Sequence, residues 1–169
     1  MSLIVYLMRH GIAADPAPGT NDADRALTPD GVRKTERVAV GLQKLGAKPD
    51  LVLSSPLRRA EETARLVADV LSPRGPVELY PPLAGGFAVD DILKGLRPHR
   101  GARELLLVCH QPDLGELASH LLTGSATLVP LPFRKAGVAA ISVGSLPPRM
   151  PGTLEWFLTP GQLRAIAAG

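Results

Sequence analysis

Cysteine occurs once in this 169-residue chain, at Cys109. That rules out an intrachain disulfide and fits a reducing, cytoplasmic setting. Aromatic residues are scarce, at 4%. The chain leans basic, with a net charge of +3 and a pI near 9.4. Its basic residues are spread out, however, and few stacking rings accompany them. A nucleic-acid surface wants a basic stripe interleaved with aromatics, so nucleic acid is not an expected partner. The remaining reading of the excess charge is a site for an anionic ligand. No apolar run approaches the roughly 18–20 residues that span a bilayer, so no membrane association is expected. The opening residues, Met1 to Arg9, lack the charged lead, long apolar stretch and cleavage site of a secretory signal. Internal repeats, low-complexity tracts and long linkers are also missing. With 45% hydrophobic residues, the whole chain, 1–169, reads as one domain with a substantial core.

Proline and glycine are frequent, at 17 each, but they fall between periodic segments and punctuate them. Leu3 to Met8 is continuously apolar, as expected of a strand buried on both faces. A polar loop runs from Gly11 to Leu27. Thr28-Pro29-Asp30 then reads as a helix start, with Val32, Ala39, Leu42 and Leu45 on its apolar face and Gly46 as its stop. Leu51 to Leu53 predicts a second strand, and Ala60, Ala64, Val67 and Leu71 mark the helix after it. Val77 to Tyr80 predicts a third strand. A Pro/Gly-rich loop follows to Ala88, then a short helix over Val89 to Leu96. Glu104 to Val108 predicts a fourth strand, and Leu114 to Leu122 a helix. Strands near Val138–Val143 and Thr153–Leu158 follow, and Thr159-Pro160 caps a last short helix. Strands alternating with helices predict an α/β domain with a mostly parallel sheet flanked by helices, the last two strands forming an antiparallel edge.

In open α/β sheets, ligands bind beyond the carboxyl ends of the strands. The first strand is followed there by Arg9, His10 and Gly11. Arg58 and Arg59 open the helix after the second, and His110 follows the fourth. Guanidiniums match phosphate oxygens with planar, permanently charged forks, and helix N-termini add N–H donors. A neutral imidazole in that setting can attack phosphorus and form a phosphohistidine. Neighbouring cations depress its pKa and stabilise charge on the transferring phosphoryl group. Such a site requires neither metal nor cofactor. Taken singly, each piece also has a plain structural reading: a turn, a solvated helix face, a histidine at a strand end. Their joint placement at strand ends favours a site.

Rival chemistries fail on spacing. A cysteine phosphatase needs an arginine six residues after its cysteine, where Cys109 has Gly115, and Cys109 reads as a small apolar strand residue. Asp22-Ala23-Asp24 has no preceding apolar strand and reads as a turn rather than an aspartyl phosphatase motif. His99 and His120 lack metal-ligand spacing.

These residues carry a resemblance. Leu7-Met8-Arg9-His10-Gly11 resembles the opening signature of the histidine phosphatase superfamily, also called the phosphoglycerate mutase-like family. Leu27-Thr28-Pro29-Asp30-Gly31 is similar to its Leu-Thr-x-x-Gly segment. Ser54-Ser55-Pro56-Leu57-Arg58-Arg59-Ala60-Glu61-Glu62-Thr63-Ala64 resembles the second signature, in which the arginine directly before the alanine binds phosphate. Val108-Cys109-His110-Gln111-Pro112 resembles the segment of the second histidine. The resemblance implies a phosphoglycerate mutase-like fold. It also implies His10 as nucleophile, with Arg9, Arg59 and His110 completing the phosphate pocket, and Arg25 as a further phosphate-binding arginine of the short members. In its compactness and in its tail from Phe133 to Pro160, the chain looks most like the phosphohistidine phosphatases of the SixA type. The implied substrate is therefore phosphohistidine in a protein, or else a small phosphorylated metabolite.

One departure bears on this. Larger members carry an acidic proton donor in the loop after the third strand. Here that loop reads Pro81-Pro82-Leu83-Ala84-Gly85-Gly86-Phe87-Ala88, and the first acids are Asp90 and Asp91. An alkyl phosphate has a poor leaving oxygen and needs a proton donor, whereas a phosphorylated imidazole leaves more readily. The departure favours a labile substrate, and it equally suits a phosphate-binding module without turnover.

Overall fold

The computed structural model describes residues 2–169. The strands are β1 (Leu3–Arg9), β2 (Leu51–Ser54), β3 (Glu78–Leu79), β4 (Glu104–Cys109), β5 (Val138–Val143) and β6 (Thr153–Leu158). The α-helices are α1 (Pro29–Lys44), α2 (Arg58–Leu71), α3 (Val89–Gly95), α4 (Asp113–Thr123) and α5 (Pro160–Ala168). Short 3-10 turns occupy Asp22–Asp24, Pro81–Ala84 and Arg97–His99. The six strands form one sheet in the order β3-β2-β4-β1-β5-β6. The first four in that order run parallel, β5 runs antiparallel to β1, and β6 runs antiparallel to β5. This is the mostly parallel, helix-flanked α/β architecture expected from the alternating pattern, with the antiparallel pair at one edge.

The strand pleat explains why β1 is apolar from Leu3 to Met8. Leu3, Val5 and Leu7 face a core shared with Ile92 and Leu93 of α3 and with Leu114, Leu117 and Leu121 of α4. Tyr6 and Met8 face the opposite core, built with Val38 and Leu42 of α1, Ala64 and Val67 of α2 and Leu163 of α5. A strand between two helical layers has no solvent face to carry polar residues. Among the described residues, no helix is long and apolar enough to cross a membrane.

The helix starts follow their cap chemistry. The Thr28 hydroxyl accepts from the Gly31 N–H at 2.9 Å, with Pro29 in the first turn of α1. Thr159 and Gln162 form a reciprocal capping box at the start of α5. Gly46 lies at φ +85°, in the left-handed region that ends a helix readily.

The expected α1 face needs correction at its ends. Leu45 is the C-cap residue and is exposed, and Val32 is only half-buried. The buried face is Gly31, Thr35, Val38, Ala39, Gly41 and Leu42. Two glycines stand in it because backbone approaches there closely, from Ile12 at Gly31 and from Leu163 at Gly41. The third strand is shorter than expected, two residues instead of four. It pairs with β2 alone at the edge of the sheet, and Pro76 and Pro81 flank it.

Gly41 shows one such approach: a Cβ there would collide with the Leu163 carbonyl of α5. Gly41→Ala is expected to cost about 2 kcal/mol through overpacking of a backbone that cannot yield. The readout is a lower urea midpoint at unchanged slope.

Candidate active site

Parallel pairing decides where the chemistry converges. Arg9 lies beside Cys109, and Ser54 beside Val108. The residues leaving β1, β2 and β4 at their carboxyl ends are therefore His10, Ser55 and His110, at one edge of the sheet. The His10 and His110 rings stand 5.1 Å apart between centroids, tilted by 51°. Both are buried, at 6% and 9% exposure.

His10 Nδ1 lies 2.8 Å from the Gly11 carbonyl oxygen. A carbonyl only accepts, so Nδ1 carries the proton and Nε2 keeps its lone pair. Burial pushes the His10 pKa down to about 3 against the pull of the Gly11 carbonyl; the neighbouring His110, Arg59 and Arg9 push it down further. His110 is held at about 4 by burial and by Arg59, with Asp22 opposing and Arg9 and Arg25 adding to the depression. Both imidazoles are neutral at physiological pH. His110 Nε2 meets the Ser55 hydroxyl at 2.7 Å.

The loop carrying His10 is tied to α2. The Gly11 N–H donates to Thr63 Oγ1 at 3.0 Å, and the Thr63 hydroxyl donates to the Arg59 carbonyl at 2.7 Å. Gly11 has no room for a side chain, since a Cβ would collide with Thr35 Oγ1. Arg9 lays its guanidinium along the strand end, Nη1 donating to the Phe133 carbonyl at 2.9 Å.

The adjacent arginines of α2 separate cleanly. Arg59 is buried, at 7% exposure. Arg58 points to solvent and pairs with Glu62 at 2.7 Å one turn along the helix. The other Glu62 oxygen accepts from the Leu27 N–H at 2.7 Å, bracing α2 against the segment that leads into α1.

Asp22, read from the sequence as part of a plain turn, does more than turn the chain. Arg59 Nη1 donates to its carbonyl at 2.9 Å and Nη2 to its carboxylate at 3.1 Å. Arg25 grips the other carboxylate oxygen through Nη2 at 2.8 Å and Nε at 2.9 Å. One carboxylate thus holds both guanidiniums. Chiefly through the Arg25 hydrogen bond, Asp22 is kept below the ordinary carboxylate pKa, so it is ionised and is not poised as a proton donor. Ser55, Thr63 and Asp22 escape a reading of motifs because they act through partners distant in sequence. The one available signal is that Ser55 and Thr63 sit within the second motif.

Asp90 and Asp91, the candidate acids, meet other side chains: Asp91 pairs with Lys94 of α3, and Asp90 lies against the His120 ring of α4, each at 3.6 Å. Cys109 is buried, and burial pushes its thiol up to about 12, which makes it inert at neutral pH. Among the described residues, no group of three or more His, Cys, Asp or Glu is arranged to hold a metal ion. Among the described residues, the buried side-chain nitrogens without a hydrogen-bond partner are Arg9 Nε, Arg59 Nε and His110 Nδ1, all on residues of this cluster.

The depressed histidines set a pH dependence of stability. Below the ordinary imidazole value of 6.5, the unfolded chain binds protons that buried His10 and His110 refuse until about pH 3 and 4. Where the unfolded state binds more protons, stability rises with pH. These groups therefore leave stability level above about 6.5 and lower it progressively as pH falls towards 4. Thermal unfolding across that range should show the fall, and His10→Ala should make it shallower.

A buried neutral imidazole with a free lone pair, set among arginines at the carboxyl edge of a parallel sheet, has the chemistry to take up a phosphoryl group. The family model described as "Histidine phosphatase superfamily (branch 1)" matches residues 5–84. An uncharacterised protein of Picosynechococcus is 39% identical over 144 residues, covering 83% of this chain and 86% of that protein. The phosphohistidine phosphatase SixA of Escherichia coli is 29% identical over 166 residues, covering 97% of this chain and 98% of that protein. A structure of SixA complexed with tungstate superposes with a TM-score of 0.81 at 29% identity, over 95% of this chain and 99% of that one. The chain belongs to the histidine phosphatase superfamily and is similar to SixA over nearly its whole length.

Proposed function

We propose that the protein hydrolyses phosphohistidine in a protein substrate through a phosphorylated His10. The observation that carries this reading is the pair of buried, neutral imidazoles, His10 oriented by the Gly11 carbonyl and flanked by Arg9 and Arg59. The relative solved with tungstate, an oxyanion, supports the same class of ligand here.

His10 Nε2 attacks phosphorus in line, and the bond from phosphorus to the substrate nitrogen breaks with its electron pair going to that nitrogen. A substrate ring protonated on its other nitrogen leaves as neutral imidazole and needs no acid. That agrees with the engagement of Asp90 and Asp91 elsewhere and with an ionised Asp22. Arg9 and Arg59 balance charge on the phosphoryl oxygens. Water then attacks phosphorus, the pair returns to Nε2, and dihydrogen phosphate leaves. The protein's own cations supply the positive charge, without a metal.

The deciding assay compares phosphate release from a phosphohistidine protein and from p-nitrophenyl phosphate. Faster release from the protein supports the proposal. Equal or faster release from the ester points to a phosphatase of small metabolites. No release from either leaves a phosphate-binding module. Asp22→Ala is expected to raise KM about tenfold on the preferred substrate, because Arg25 and Arg59 lose their common anchor; steady-state kinetics on folded variant reads this directly.

A further inference from the structure

The end of the sheet opposite His10 carries a second feature. A groove of about 1150 Å³ opens where β1 and β4 begin. It lies between the 3-10 turn before β4 and the connection from β5 to β6. Arg97, Arg100, Arg103 and Arg149 line it, all exposed. Among the described residues, none of these guanidiniums is in an ion pair or a side-chain hydrogen bond; Arg103 alone has a carboxylate acting on it at longer range, Asp50. That carboxylate is engaged by the backbone N–H groups of Arg103 and Glu104 and by Arg74. Glu104, at the start of β4, accepts from the Tyr6 hydroxyl and the Lys48 N–H. Four of the chain's 19 lysines and arginines line this one groove, and no acidic side chain is among its described lining residues.

Unpaired guanidiniums crowded into one groove repel one another, and an anionic ligand relieves that repulsion. We propose that this groove docks an acidic segment of a partner polypeptide. The lining favours a polypeptide over a nucleic acid. Among the described residues of the groove none is aromatic, so bases have no ring to stack on. Pro147, Pro148 and the exposed Met150 instead offer apolar contact to aliphatic side chains. From the start of β1 to His10 the strand runs roughly 20 Å, at about 3.3 Å per residue. A partner docked here leaves the catalytic edge open, and one protein can carry both the acidic segment and the phosphorylated residue. That link to turnover rests on the proposed phosphoprotein substrate; the docking itself does not.

The test is fluorescence anisotropy with a labelled oligo-glutamate peptide, a single-stranded oligonucleotide of equal charge as comparison, and the double variant Arg97→Glu/Arg149→Glu. Wild type is expected to bind the peptide more tightly than the oligonucleotide. Binding should weaken about tenfold or more in the variant, and also when salt is raised enough to shorten the screening length. Phosphate release from p-nitrophenyl phosphate should be equal in both proteins, which verifies that the variant is folded. Absence of peptide binding to wild type, equal binding by the variant, or preference for the oligonucleotide overturns the inference. If the peptide binds wild type alone, neither protein releases phosphate from any substrate and the variant keeps the wild-type circular dichroism and melting temperature, the docking inference stands and the catalytic reading falls.

Discussion

His10→Ala is expected to abolish phosphate release, with a loss of roughly a thousandfold or more, in the range seen when a covalent nucleophile is removed from an enzyme. The reason is specific to this geometry. No other described group at this edge offers the same combination of burial, neutrality and a fixed free lone pair. His110 is the other imidazole, but its Nε2 is engaged by the Ser55 hydroxyl. Rapid quenching should trap an acid-labile phosphoryl group on wild type and none on His10→Ala. A variant that still forms the phosphoenzyme would transfer the nucleophilic role to His110 and overturn the assignment.

The second large effect separates two neighbouring arginines. Arg59→Ala should lower kcat by about a hundredfold or more, since a buried charged donor to the developing phosphoryl charge is lost. Arg58→Ala should stay within about twofold, because it removes only an exposed pair one helical turn long. The contrast depends on the direction each side chain takes from α2. Equal losses would show that both guanidiniums reach the substrate. Arg59→Lys adds a finer test: it retains charge without the planar fork, and it should recover only part of the loss.

Much of the candidate site is legible in the chain because it sits where elements begin and end. Arg9-His10-Gly11 follows a continuous apolar strand, Arg59 opens a helix with clear periodicity, and His110 follows Leu105 to Val108. Once the sheet is parallel, these ends meet without further information. The cap residues Thr28 and Thr159 were legible for the same reason, their hydroxyls acting within three residues. Errors fall where tertiary contact overrides local pattern. Leu45 continues the apolar count of α1, yet the helix ends before it can face the core. Val77 and Tyr80 look like strand residues, yet the edge strand pairs on one side only.

Fold class and the placement of His10, Arg59 and His110 beyond strand ends were determined by the sequence itself, because periodicity and capping act over a few residues; the choice of Arg59 over Arg58 came from the resemblance of its motif. Only the folded chain decided that Asp22 anchors Arg25 and Arg59, that Ser55 engages His110, and that Thr63 ties the His10 loop to α2. It also brought Arg149 beside Arg97, Arg100 and Arg103, about fifty positions earlier in the sequence, in one groove. Hydrogen bonds and charge act across space at a few ångströms, and residues 37 or 55 positions apart reach that distance only when the sheet brings its strands together.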